Sequence, residues 1–148
     1  ELARANEGTH PILYRTENVV DRVRELTGGT GVDVVYDSVG RDTFEQSLQC
    51  LRPRGLMVTF GQSSGAVTAF DPVHLSRNGS LFLTRPTLFH YVAEREALEE
   101  NSRELFDVVL GGHVMIPVRQ RFPLPEAAEA HRALESRRTT GSTVLIVD

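Results

Sequence analysis

The residues of this chain whose types could do chemistry are several glycine-rich stretches, paired serines, five histidines and one cysteine. Gly28-Gly29-Thr30-Gly31 has the composition of a phosphate loop, but such a loop follows a strand and opens a helix. This one follows a helical stretch and opens an extended one, so it reads as a helix stop. No GxGxxG and no Walker sequence occurs in the chain; a nucleotide domain made of these residues alone would lack its pyrophosphate cradle. Gly61-Gln62-Ser63-Ser64-Gly65 matches the GxSxG pattern. A nucleophile elbow also needs a strand-to-helix turn, a reachable histidine and an oxyanion donor loop. Residues 66–72 are polar and turn-like instead, which disfavours hydrolysis. His10, His74, His90, His113 and His131 have no His or Cys partner at a metal-ligand spacing, and no metal site is predicted. His131, beside Ala130 and Leu134, reads as a packed structural residue. Cys50 excludes an intrachain disulfide and has no base nearby in sequence, so it reads as an inert small side chain.

Two short segments are better candidates. Ser38-Val39-Gly40 and Phe60-Gly61-Gln62-Ser63 each sit just past an apolar run. Small residues there let a ligand approach the backbone. Plain turn chemistry uses the same residue types, and the pattern alone leaves both readings open. Tyr14 reads either as a strand-end rim residue or as a stacking platform. Arg137-Arg138 is either a solvated pair or a guanidinium fork for an anionic ligand. No residue has the surroundings of an essential acid or base, so none is predicted to be catalytic.

The elements that must position these residues alternate in type. Pro11–Tyr14 is a brief strand candidate, and residues 17–27 place Val19, Val20, Val23 and Leu26 on one helical face. Val32–Val39 is nearly continuous and β-branched, as in a strand covered on both faces. Asp42 with Glu45 forms a capping-box pattern before a short helix with Phe44, Ser47, Leu48 and Leu51 on one side. Pro53-Arg54-Gly55 reads as a turn, Leu56–Phe60 as a strand, Asp71–Asn78 as one or two helical turns and Ser80–Arg85 as a strand. Beyond residue 88 the rhythm changes. A long helix runs over 91–110, residues 114–122 are extended, Pro125–Ser136 is a helix with Pro in its first turn, and Ser142–Val147 is a strand. Strands alternating with helices imply βαβ units and a parallel sheet.

Composition bounds the rest. The 148 residues are 40% hydrophobic and 24% charged, an ordinary globular mixture that excludes disordered and low-complexity classes. The net charge is -4 and every basic residue is Arg, scattered along the chain; no nucleic-acid partner is expected on this balance. No apolar run approaches the roughly 20 residues that cross a bilayer, so no membrane partner is expected. No secretory signal is visible, and the lone cysteine suits a reducing, cytoplasmic setting. The chain opens on Glu1 inside what reads as a helix tail, Glu1 to Asn6 stopped by Gly8. A piece of a longer polypeptide is therefore expected.

The run ELTGGTGVDVVYDSVGRDTFEQSLQCLRPRGLMVTFGQSSGAV (Glu25 to Val67) closely resembles the zinc-independent quinone oxidoreductases, the zeta-crystallin-like branch of the medium-chain dehydrogenase/reductase superfamily. SLFLTRPTL (Ser80 to Leu88) and AEAHRALESRRTTGSTVLIV (Ala128 to Val147) continue the resemblance, which covers essentially the whole chain. Ser142 stands after Gly141 where this family often has Lys, a mild departure. The resemblance implies an α/β fold: a partial Rossmann domain over 1–88, a doubly wound parallel sheet lacking its first two strands and glycine-rich loop. Residues 89–148 would be the C-terminal part of the GroES-like catalytic domain. It implies NADPH as cofactor, a quinone as substrate and hydride transfer without zinc. By motif, Tyr14 would lie near the adenosine end of NADPH, and Ser38 and Gly40 would line the groove. Phe60, Gly61, Gln62 and Ser63 would flank the nicotinamide, and Arg137 would contact the cofactor. Ser80–Arg85 would be the edge strand that pairs across a homodimer axis.

In the usual 3-2-1-4-5-6 order, the two lacking strands would lie between Pro11–Tyr14 and Val32–Val39. Each buried unpaired backbone group costs on the order of 1–3 kcal/mol, against a typical stability of about 5–15 kcal/mol. One of three outcomes is expected: Pro11–Tyr14 detaches or pairs directly with Val32–Val39, another chain fills the gap, or these residues are part of a larger folded body. The alternative to an enzyme part is a non-catalytic dimerisation or scaffolding module that binds no cofactor.

Overall fold

The computed structural model describes residues 2–5 and 8–147. The chain is a mixed α/β protein whose strands pair in parallel, and it divides into two compact units, Glu1–His90 and Tyr91–Asp148.

The first unit runs α1 (Leu2–Ala5), α2 (Val19–Leu26), β1 (Val32–Asp37), α3 (Phe44–Cys50), β2 (Leu51–Thr59), α4 (Val73–Arg77) and β3 (Phe82–Thr84), with α5 (Leu88–Tyr91) at its end. Its sheet has the order β1-β2-β3, with Asp37 opposite Thr59 and Leu56 opposite Phe82. The core is Phe44, Leu48, Leu51, Met57 and Leu81, walled by Val32, Val35, Val67, Phe70, Leu75 and Leu83. Helix α2 begins at Asn18, whose side-chain oxygen accepts from the amides of Val20 and Asp21. It stops where predicted. Gly28 and Gly29 take φ of 60° and 87°, and the Gly29 amide donates to the Arg24 carbonyl at 2.7 Å. The Arg24 guanidinium then reaches the carbonyls of Gly29, Thr30 and Gln49, binding the helix end to the α3–β2 junction.

Several expectations need correction. Pro11–Tyr14 is in no strand. The Leu13 carbonyl instead accepts from the amides of Thr16 and Glu17, and the Leu13 amide donates to the Glu17 carboxylate. The segment pairs with no strand and makes local backbone bonds instead, the detached outcome. β1 is not covered on both faces: Val34 and Tyr36 are exposed, Tyr36 at 73%. The Asp42–Glu45 capping box does not form. Thr43 is the N-cap residue, and its hydroxyl is engaged elsewhere. Pro53-Arg54-Gly55 is no chain-reversing turn but an irregularity within β2. The register passes from Val32–Leu51 to Val34–Leu56 there, and Arg54 takes φ 61°. The Ser80–Arg85 strand shortens to Phe82–Thr84, because Ser80 takes φ 58° and the Leu81 amide turns back to Leu75. Of the opening helix, Leu2–Ala5 is helical and the Gly8 amide donates to Ala3; Glu1 and Asn6 lie outside the described residues.

The second unit contains α6 (Arg95–Leu110), β4 (Val118–Pro123), a 3-10 turn (Leu124–Glu126), α7 (Ala127–Glu135) and β5 (Ser142–Ile146). β4 and β5 pair in parallel, so α7 is their crossover, and it buries Ala130 and Ala133. The long helix is shorter than predicted, since α5 and α6 are separate. Pro125 falls in the 3-10 turn rather than in α7. His131 is exposed, not packed. No helix among the described residues is long and apolar enough to cross a membrane.

Candidate functional site

Parallel strands deliver their carboxyl ends to one edge of the sheet, and the loops leaving that edge are the natural ligand platform. Here the loops after β1 and β2 are joined. The Asp37 carbonyl accepts from the amides of Phe60 (2.9 Å) and Gly61 (3.3 Å). Farther out, the Ser64 amide and hydroxyl both donate to the Val39 carbonyl, and the Arg41 amide donates to Gly65. The Ser64 hydroxyl also accepts from the Asp42 amide. Ser64 is thus a loop fastener, and the motif serine, Ser63, has no helix after it until Val73, so the GxSxG match has no elbow.

Close approach of the two loops demands glycine at two places. Gly40 has φ 90°, and a Cβ there would stand 2.7 Å from the Gly65 carbonyl oxygen. A Cβ on Gly61 would overlap the Ser38 carbonyl. The joined loops leave Ser38, Phe60, Gln62 and Ser63 exposed and Gly61 half-buried. Gly40 is buried beneath this crest, so its contribution is backbone conformation rather than ligand-facing surface.

The residue that organises the crest is Asp37, only 4% exposed. Its Oδ1 accepts from the amides of Val39 (2.7 Å) and Gly40 (2.9 Å). Its Oδ2 accepts from the hydroxyls of Thr43 (2.7 Å) and Ser47 (2.8 Å). Burial pushes this carboxyl up, but the bonds from Gly40, Thr43, Ser47 and Val39 outweigh it and hold the group below the usual carboxylate range. The sequence places Asp37 within the Val32–Val39 strand and assigns it no role. The available signal was an acid closing a β-branched strand, with hydroxyls six and ten residues on, at Thr43 and Ser47.

A second organiser is Arg85, at the end of β3. Its guanidinium donates to the carbonyls of Thr59 (2.8 Å) and Gly61 (3.0 Å) and to the Gln62 side-chain oxygen (3.4 Å). It closes one side of a cavity of about 220 Å³ whose walls include Phe44, Val67, Phe70 and Leu83. Across β1 lies a more apolar groove of about 330 Å³, lined by Tyr14, Val19, Val23, Tyr36 and Ser38 among others. The structure therefore brings Tyr14 to the same groove as Ser38, while Gly61 and Gln62 border the other cavity. Arg137 belongs to the second unit. It takes φ 56° just beyond α7 and donates its amide to Leu134.

Cys50 is buried, and burial pushes its thiol up despite the nearby Arg24, consistent with an inert side chain. Among the described residues no group of three or more His, Cys, Asp or Glu side chains is placed to hold a metal ion.

A family profile described as zinc-binding dehydrogenase matches residues 7–145. The chain is 53% identical over 137 residues to quinone oxidoreductase 1 of Escherichia coli K12, covering 91% of this chain and 42% of that protein. It is 47% identical over 150 residues to 2-haloacrylate reductase of a Burkholderia species, covering 99% of this chain and 44% of that one. The crystal structure of E. coli quinone oxidoreductase complexed with NADPH superposes with a TM-score of 0.87 at 53% identity, over 91% of this chain and 42% of that one. The chain thus spans less than half the length of the curated relatives it matches.

Proposed function

The chain belongs to the zinc-binding dehydrogenase family, and from that premise we propose that it is part of an NADPH-dependent quinone oxidoreductase. The observation that carries this reading is 53% identity to a quinone oxidoreductase over a stretch that includes the whole joined-loop crest. When bound, NADPH would supply a hydride to the quinone.

The residues present fit the nicotinamide end of such a cofactor. An exposed ring, an amide and two hydroxyls, from Phe60, Gln62, Ser38 and Ser63, stand on a crest whose backbone is fixed by Asp37 and Arg85. Phe60 and Gln62 would orient the nicotinamide and its carboxamide, with Gly61 and Ser63 flanking them. Ser38 would line the groove above Gly40, and Tyr14 would meet the adenosine end. Arg137 would contact the cofactor from the C-terminal part. Fixing the donor ring against the acceptor is the protein's main contribution in a direct hydride transfer. Residues 1–88 would be the cofactor-binding portion and 89–148 the return to the catalytic domain. The Ser80–Arg85 segment, whose β3 has an unpaired edge within this sheet, would pair with a second copy.

In this reading the hydride passes to the quinone without zinc. Dialysis of the full-length enzyme against a chelator is expected to leave turnover unchanged.

The test is NADPH oxidation by the full-length protein with a benzoquinone acceptor. Quinone-dependent loss of NADPH absorbance is expected; no NADPH binding by calorimetry would instead favour a scaffolding module. The 47% identity to 2-haloacrylate reductase favours one second reading, reduction of an activated alkene. Offering 2-chloroacrylate and benzoquinone side by side separates the two acceptors.

A further inference from the structure

Resting on the reading above, we propose that Asp37 is a positioning residue for NADPH, holding in register the two loops that carry Ser38, Phe60, Gln62 and Ser63. At 4% exposure the carboxylate is shielded from a ligand and acts through its partners. Oδ1, by taking the amides of Val39 and Gly40, bends the chain sharply after β1 and leaves Ser38 facing outward. The carbonyl of the same residue takes the amides of Phe60 and Gly61, fixing the neighbouring loop. Oδ2 anchors the assembly to α3 through Thr43 and Ser47.

Thr43 shows that this arrangement is not ordinary helix capping. It is the N-cap residue of α3, a position where a threonine hydroxyl commonly bonds the helix's own free amides. Here it makes no such bond and donates to Asp37 instead. A buried acid that takes the donors of the loop after β1 and of α3, at a residue whose main-chain carbonyl holds the next loop, rigidifies the surface above it. Such support of a binding residue's neighbours is what sets ligand geometry.

The test uses the full-length enzyme with Asp37→Ala, Asp37→Asn and the double variant Thr43→Val/Ser47→Ala. Asp37→Ala is expected to raise the KM for NADPH about tenfold or more and to leave the KM for the quinone unchanged. Amide exchange is expected to quicken in both 38–42 and 60–65. Asp37→Asn keeps an oxygen for the Val39 and Gly40 amides and is expected to restore most of the NADPH affinity. If Asp37→Ala does not fold, the double variant carries the test, with a smaller rise in the NADPH KM. A folded variant with an unchanged NADPH KM, or exchange that quickens in only one loop, overturns the role of Asp37 while leaving the functional reading intact. Failure of the wild-type enzyme to bind NADPH overturns both, and shows before any variant is made.

Discussion

A single buried carboxylate makes acid stability a local matter. The folded Asp37 carboxyl is held below its ordinary value near 4, so its contribution is fully present above that ordinary value and is lost as pH falls through the folded one. The melting temperature of the wild-type protein is therefore expected to drop below about pH 4. In Asp37→Asn the acid limb should be shallower, because that titration is gone. An identical acid limb in both proteins, by calorimetry, would assign acid sensitivity to other groups. Gly61 gives the complementary steric case. A Cβ would overlap the Ser38 carbonyl, and backbone cannot swing aside as a long side chain can. Gly61→Ala is expected to cost about 2–3 kcal/mol in urea unfolding, with a raised NADPH KM because the same loops must part. Ser38 and Phe60–Ser63 were legible as candidates because small and polar residues followed apolar runs. The fastening of the two loops was not legible, since Asp37, Ser64 and Arg85 bond across 22 to 26 residues of sequence as well as locally.

Elements were legible where their ends carry their own chemistry. Helix α2 has two left-handed glycines after it, the stop their types predict, and Asn18 caps its start. Asn18→Ala leaves the Val20 and Asp21 amides without their acceptor and is expected to lower stability by about 1 kcal/mol. Urea midpoints of the two proteins check this; equal midpoints would mean that water replaces the cap. Elements were misjudged where a partner decides the outcome. Pro11–Tyr14 has an extended composition, but a strand exists only by pairing. The Asp42–Glu45 spacing fits a capping box, yet the Asp42 amide is held by Ser64 and the helix starts one residue later. The Pro53–Gly55 signal is genuine turn chemistry, absorbed as an irregularity because the Arg54 amide donates to Gly79 and β2 continues.

At the scale of the whole chain, the sheet of the first unit ends on β1 at one side and on β3 at the other. An unpaired strand edge recruits other strands unless charge, proline or a bulge blunts it. β3 is three residues long, so β1 presents the longer free edge. β1 is six residues long and exposes Val34 and Tyr36 beside its free edge. Its acidic residues do little to protect it: Asp37 is buried, and Asp33 is neutralised by Arg52. A net charge of -4 spread over 148 residues supplies only weak mutual repulsion. Expressed by itself, this 148-residue chain is therefore expected to self-associate at micromolar concentration, with β1 as the contact. Replacing Tyr36 by Lys puts a charge on the exposed face without disturbing a core residue, and is expected to shift light-scattering mass toward the monomer. In the full-length protein the same substitution should instead destabilise the fold if further strands cover β1, lowering the melting temperature. A monodisperse wild-type chain whose mass does not respond to Tyr36→Lys would show that the β1 edge is already satisfied within the chain.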